Sequence, residues 1–437
     1  MTVITIPASD ADATAILQAA IDKVSAAGAG RVSLAPGLHV CGGLRLKSGV
    51  NLHLEAGAVL RPRASYDAFG GNIASVIAEG SDRAILMACG ASDFSISGEG
   101  SIEAPGPTYV TGYDAEIGTY IPAKFRPRVL VLEDCTNVVL CGIRIADAPM
   151  WTMHLVACRN VKITGVTVAN DRRLPNTDGL VIDSCTDVEV LNVNISTADD
   201  GVCLKTTSRA AGIGACSNVT VRDCRISSQS CALKIGTESF GDFDNIVFED
   251  CVVADSNRAL GIFSRDGGRV SHVRFSRISV DCHETRDGFW GSGEAVTINV
   301  VDRRPERPAG AIEGLVVEDI SGTAEGAINL VAAAPAGIRD VRLSRVKLTQ
   351  SPGALGTGRR YDLRPTPADL APPPGTKGRA NAWVRGEDGR IVGVMDYPGG
   401  LPGLFARGIE GLVLDGVAIE RPGDLPPGWN LEPILIA

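Results

Sequence analysis

The stretch NVKITGVTVANDRRLPNTDGLVIDSCTDVEV, residues 160–190, decides the fold. It opens on Asn160-Val161-Lys162-Ile163 and closes on Asp187-Val188-Glu189-Val190, two copies of one pattern in which a small or polar residue precedes alternating apolar and polar side chains. Alternation with period 2 marks a strand with one buried face. The pattern recurs upstream in Asn51-Leu52-His53-Leu54, Asp93-Phe94-Ser95-Ile96 and Asn137-Val138-Val139-Leu140. Downstream it returns at Asn218, Asn245, His272, Gly314, Asp340 and Gly411. From Val138 to Val161, Val188, Val219, Ile246 and Val273 the steps are 23, 27, 31, 27 and 27 residues. Such a period is too long for a hairpin and too short for a propeller blade, which needs roughly 40 to 50 residues. Gly, Asn, Asp and Ser fill the intervals, so each unit reads as one coil of a parallel β-helix.

Bulk properties fit one long solenoid domain over residues 1–437, since solenoids grow along one axis and need no division. The 51 glycines and 5% aromatic residues suit a turn-dense chain with a thin aliphatic core. A net charge of -9 argues against nucleic acid as a partner, and no stretch reaches the roughly 20 apolar residues of a membrane span. Met1-Thr2-Val3-Ile4-Thr5-Ile6-Pro7 lacks the pattern of a secretory signal, which leads to an expectation of cytoplasmic location. Of the 12 cysteines, Cys135, Cys158, Cys185 and Cys216 take equivalent places before a strand and read as reduced, stacked core residues. No CxxC pair suggests zinc, and neither metal nor cofactor is expected. Asp10 to Gly28 carries an apolar stripe at Ala13, Ile16, Leu17, Ala20, Ile21 and Val24, predicting a helix that caps the first coil. Ser351 to Gly403, rich in Pro, Gly and charge, interrupts the repeat so that Leu412 follows Val341 by 71 residues; Trp383, Tyr397 and Phe405 could give this insertion a packed patch.

The chemistry-bearing motifs are Asn176-Thr177-Asp178-Gly179 and, one coil on, Asp199-Asp200-Gly201. Carboxyl groups in different environments can hold a proton and a charge side by side, as glycoside hydrolysis needs. Strict alternation would turn Asp178 and Asp200 inward with Leu180 and Val202; Gly179 and Gly201 offer an escape through a bulge or left-handed residue. The plain alternative is a pair of Asx turns.

At these residues the chain resembles glycoside hydrolase family 28, the polygalacturonase-like enzymes. The likeness extends through Gly37, Ser48-Gly49-Val50, Leu54-Glu55-Ala56-Gly57-Ala58, Pro149-Met150-Trp151 with His154, and Trp290-Gly291-Ser292-Gly293-Glu294. It implies a right-handed parallel β-helix, Asp199 as general acid, Asp178 and Asp200 activating the water, and inversion, with carboxyls about 6.5 to 9.5 Å apart. Two departures stand out: Ser230-Cys231-Ala232 replaces the family's Gly-His-Gly, and Gly261-Ile262-Phe263 its Arg-Ile-Lys. With Leu204, Leu233, Ile235 and Ile262 inward, Lys205, Lys234, Glu238 and Arg265 project with the acids, where the cations could bind a uronate or simply pair with Glu238 and the aspartates. Asn176, Trp151, Trp290 and His154 complete the candidate substrate contacts.

The leading reading is a hydrolase of pectin-like oligosaccharides, exo-acting on an acidic or rhamnogalacturonan-type substrate, with Gly106 to Ala123 and Ser351 to Gly403 narrowing the cleft. A β-helical lyase or epimerase with Lys205 or Lys234 as base, and a non-catalytic carbohydrate-binding β-helix, are the alternatives.

Overall fold

The computed structural model describes residues 2–286, 289–367 and 384–437. Its repeat segments stack in register into one parallel ladder. A single column of inward side chains runs Ile4, Val32, Leu52, Ile96, Leu140, Ile163, Val190, Val221, Phe248, Phe275, Val317, Leu343 and Leu414, each the direct partner of the next. The result is a right-handed parallel β-helix with one continuous apolar core. Phe248 and Phe275, on adjacent coils, stack with centroids 4.9 Å apart.

From Asp93 onward, the residue that opens each repeat has a backbone reason. Asp93, Asn137, Asn160, Asp187, Asn218, Asn245, His272 and Asp340 all sit at φ between 51° and 59°, and Gly314 and Gly411 at 67° and 69°. Left-handed backbone favours Gly, Asn and Asp over other residues. The side chains also form ladders, with Asn160 donating to Asn137 at 2.7 Å and Asn245 to Asn218 at 2.9 Å.

Helix α1, Thr14–Ala26, buries Leu17, Ala20, Ile21 and Val24 against the first coil. It starts later than the apolar stripe suggests because Ser9–Asp12 pairs as a strand with Gly37–Cys41, and Asp12 accepts from the Thr14 amide at 2.9 Å. The first coil also begins before the helix, since Thr2–Ile6 pairs with Gly30–Leu34. The cysteines are free thiols; Cys135, Cys158, Cys185 and Cys216 are buried in the core. No helix among the described residues is long and apolar enough to cross a membrane.

A second parallel sheet closes each coil, including Met153–Val156, Leu180–Asp183, Val202–Thr206, Cys231–Ser239 and Arg258–Ser264. Its outer face is covered on both sides of the central coils. Upstream, strand Ile73–Ala78 folds back on Ser81–Cys89; its Val76 carbonyl accepts from Arg128 at 2.8 Å, and Ala78 packs on Met150, Trp151 and Val181. Downstream, the insertion pairs Arg360–Asp362 with Val394–Asp396 and packs Tyr361, Tyr397 and Phe405 with Val331, Leu401 and Trp429. Trp383, expected in this patch, lies outside the described residues. Along the flank, the hairpin Val110–Asp114/Thr119–Pro122 reaches Arg286, which donates to the Glu116 carbonyl at 3.1 Å.

Candidate active site

Between these covers lie the acids. The strands carrying them begin only at Leu180 and Val202, so Asp178 and Asp200 belong to the corner before the sheet and escape its alternation. Gly179 and Gly201 are not left-handed and form no bulge, contrary to the sequence expectation. Their role is close approach: a Cβ on Gly201 would lie 2.4 Å from Ile226 Cγ2 and 2.5 Å from the Ala232 carbonyl oxygen, and one on Gly179 2.6 Å from Ile195. The left-handed residue is Asn176, at φ 61°.

One carboxylate oxygen from each of Asp178, Asp199 and Asp200 lies within 4.8 Å of the others. The three form a recessed floor, only 3%, 8% and 2% exposed. Asp199 accepts from the amides of Asn176 at 3.2 Å and Asp200 at 3.1 Å. Lys234 holds Asp200 through an ion pair of 2.6 Å. Burial pushes the Asp178 carboxyl well above the ordinary range, with Asp199 and Asp200 adding to the rise and Lys205 and Lys234 opposing it. Burial and the neighbouring acids therefore favour the protonated form of Asp178, while Asp199 meets two amide donors and Asp200 the Lys234 ammonium. The same three oxygens form the one acidic grouping among the described residues compact enough for a cation. The Lys234 ammonium already supplies countercharge there.

Lys205 donates to Glu238 and lies 5.2 Å from the Trp151 ring centroid. Trp151 is thereby spoken for: it is packed by Ala78, Met150 and Val181, and meets His154 edge-on at 5.0 Å. It offers no open face to a sugar. His154 is a clearer correction, being wholly buried between Arg128 at 2.8 Å and Asp183 at 3.4 Å. Burial pulls its imidazole down to about 4, so it packs as a neutral ring. Arg265 is likewise internal rather than projecting. It is fully buried, burial pulls it down to about 9, and its guanidinium donates to the carbonyls of Leu363 at 3.1 Å and Pro365 at 3.3 Å, pinning the insertion. Trp290 is half-buried at a later corner, where its carbonyl accepts from Asn257 at 3.2 Å.

Sequence reasoning missed Arg126 and Arg303. Arg126 donates to the carbonyls of Pro149 at 2.9 Å and Pro175 at 2.6 Å and to Asn176 at 2.8 Å, bracing the corner that carries Asp178; burial lowers it to about 10. Arg303 lies 3.6 Å from Glu238 and 2.6 Å from Asp266. Neither sits in a repeat strand or a motif, so no periodic signal marked them. Glu79, at the exposed hairpin tip, was missed as well; Arg126, Asp199 and Glu238 are charges within its electrostatic reach.

A parallel β-helix with three clustered carboxylates defines a scaffold and a candidate site, and the family is read from the sequence. The profile of glycosyl hydrolases family 28 matches residues 58–356, and the chain belongs to that family. A polygalacturonase of Juniperus ashei is 24% identical over 278 residues, covering 61% of this chain and 52% of the relative. One from Cryptomeria japonica is 22% identical over 277 residues, covering 60% and 51%. The chain thus spans about half the length of these curated relatives. A solved family 28 exopolygalacturonase from Yersinia enterocolitica superposes with a TM-score of 0.67 at 15% identity, covering 100% of this chain and 78% of that one, a likeness of fold.

Proposed function

We propose that the protein is an inverting, exo-acting glycoside hydrolase of pectin-derived oligosaccharides of rhamnogalacturonan type. The observation that carries this reading is the trio of Asp178, Asp199 and Asp200, brought within 4.8 Å from two successive coils. Their oxygens stand closer than the carboxyl separation expected for inversion, yet about 4.8 Å is the span one water bridges with two short hydrogen bonds. In this reading Asp199 protonates the leaving oxygen while Asp178 and Asp200 hold the attacking water. Carboxyls this close can share a proton, so the proton that burial favours on Asp178 is also available to Asp199. Exo action is supported by the two covers: Ala78 on Trp151 at one end and the insertion on Arg265 at the other turn the groove into a recess. A uronate-binding role for Lys205, Lys234 and Arg265 has less support, because each already faces protein oxygens. The free cysteines support a reducing compartment, and hence imported oligosaccharides as substrates.

A nitrophenyl glycoside tests the roles, because its leaving group needs no acid. Asp199→Asn is expected to retain turnover of that substrate while losing natural oligosaccharides, whereas Asp178→Asn loses both. Equal losses in the two variants on both substrates would overturn the assignment.

A further inference from the structure

A uronate is recognised by cations that have no other anion to face. Beside the three aspartates, every cation among the described residues already meets protein oxygens. Lys234 pairs with Asp200 at 2.6 Å, Lys205 donates to Glu238, Arg303 stands between Glu238 at 3.6 Å and Asp266 at 2.6 Å, and Arg126 is held by two carbonyls and Asn176. Within this set Glu238 is the outward member. Its side chain is 29% exposed, against 6% for Lys205 and 3% for Arg303. Its carboxylate thus lies at the surface of the recess with two cations behind it, and the Thr237 hydroxyl donates to it at 3.2 Å. Those are the donors an incoming carboxylate would need.

Resting on the hydrolase reading, we propose that Glu238 stands in the place of a substrate carboxylate, so that the sugar bound beside Lys205 is a neutral pyranose and a uronate is turned away there. Burial alone would raise the Glu238 carboxyl, but Lys205 and Arg303 hold it well below the usual range, so it stays charged. Glu79 adds a second acid within electrostatic reach of the same group. A uronate at this position meets like charge, whereas the hydroxyls of a neutral sugar find acceptors.

The test is calorimetric binding to the Asp199→Asn protein, which does not consume its ligand. Two oligosaccharides are compared that differ only in a neutral or a uronic acid residue at the non-reducing end. The neutral-ended ligand is expected to bind roughly tenfold or more tightly, the scale of one charge-assisted contact. Glu238→Gln on the same background is expected to erase that preference by freeing Lys205 and Arg303, and adding Lys205→Met to remove the gain. A uronate-ended ligand bound as tightly before any change at Glu238 overturns the proposal; so does a preference that Glu238→Gln leaves intact. Should Glu238→Gln fail to fold, the preference of the parent protein decides. Reducing-sugar release by the unaltered enzyme is read separately. Hydrolysis with a uronate preference defeats this inference and spares the hydrolase reading, while no hydrolysis of either ligand defeats both.

Discussion

Replacing Lys234 by glutamine removes the ammonium 2.6 Å from the Asp200 carboxylate while keeping most of the side-chain volume. The pair is 7% and 3% exposed, so solvent does little to screen it. Breaking such a buried pair from one side costs about 3–5 kcal/mol, because a charge is left in place without its counterion. The site should change before the fold does. Asp178 already holds its proton above the ordinary carboxylate range through burial and through Asp199 and Asp200, and Lys234 is one of the two lysines that oppose this. A base must be ionised, and activity is lost as pH falls through its raised pKa. Loss of Lys234 therefore moves the acidic limb of the kcat/KM profile to higher pH. Denaturant unfolding measures the stability cost, and initial rates across the pH range locate the limb. An acidic limb that stays where it is in the parent enzyme, with the variant folded, would refute the electrostatic account of the trio.

Other outcomes follow from the same geometry. In the unaltered enzyme the acidic limb should lie above the free aspartate value of about 3.9, because burial raises Asp178; a pH–rate profile with a lower limb would remove Asp178 as base. Gly201→Ala forces a methyl into a gap 2.4 Å from Ile226, costing about 1–3 kcal/mol and displacing Asp200, so kcat should fall further than stability does; denaturation and kinetics on one preparation compare the two. Asn218→Val places a β-branched residue at φ 54° and breaks the Asn218–Asp187 and Asn245–Asn218 bonds, lowering stability by about 1–2 kcal/mol without altering KM. Removing the hairpin tip around Glu79 opens one end of the recess, and product chromatography should then show internal cleavage of longer chains.

The fold was legible because its coils repeat the same backbone demand. Asn160, Asp187 and Asn218 announce a left-handed corner, and the alternating residues after them announce a strand with a core face. The acids were legible for the same reason, since Asp178 and Asp199 fall at the same corner of successive coils. What the sequence hides is which of two neighbours a polar side chain chooses. His154 alternates with core residues in Met153–Val156, and nothing local shows that Arg128 and Asp183 fill its surroundings. Arg265 lies on a strand-end continuation of the acid-bearing sheet, but an insertion about 100 residues away in sequence covers it. Gly179 and Gly201 looked like conformational devices and are spacers, a difference set by the side chains of Ile195 and Ile226 on the sheet across the core.

Proton NMR of the first product released from a purified oligosaccharide, before mutarotation, tests the central claim most directly. The account predicts a saturated reducing sugar whose anomeric configuration is opposite to that of the bond cleaved, formed at a rate that Asp199→Asn abolishes. A product of retained configuration, or an unsaturated sugar from elimination, would contradict it.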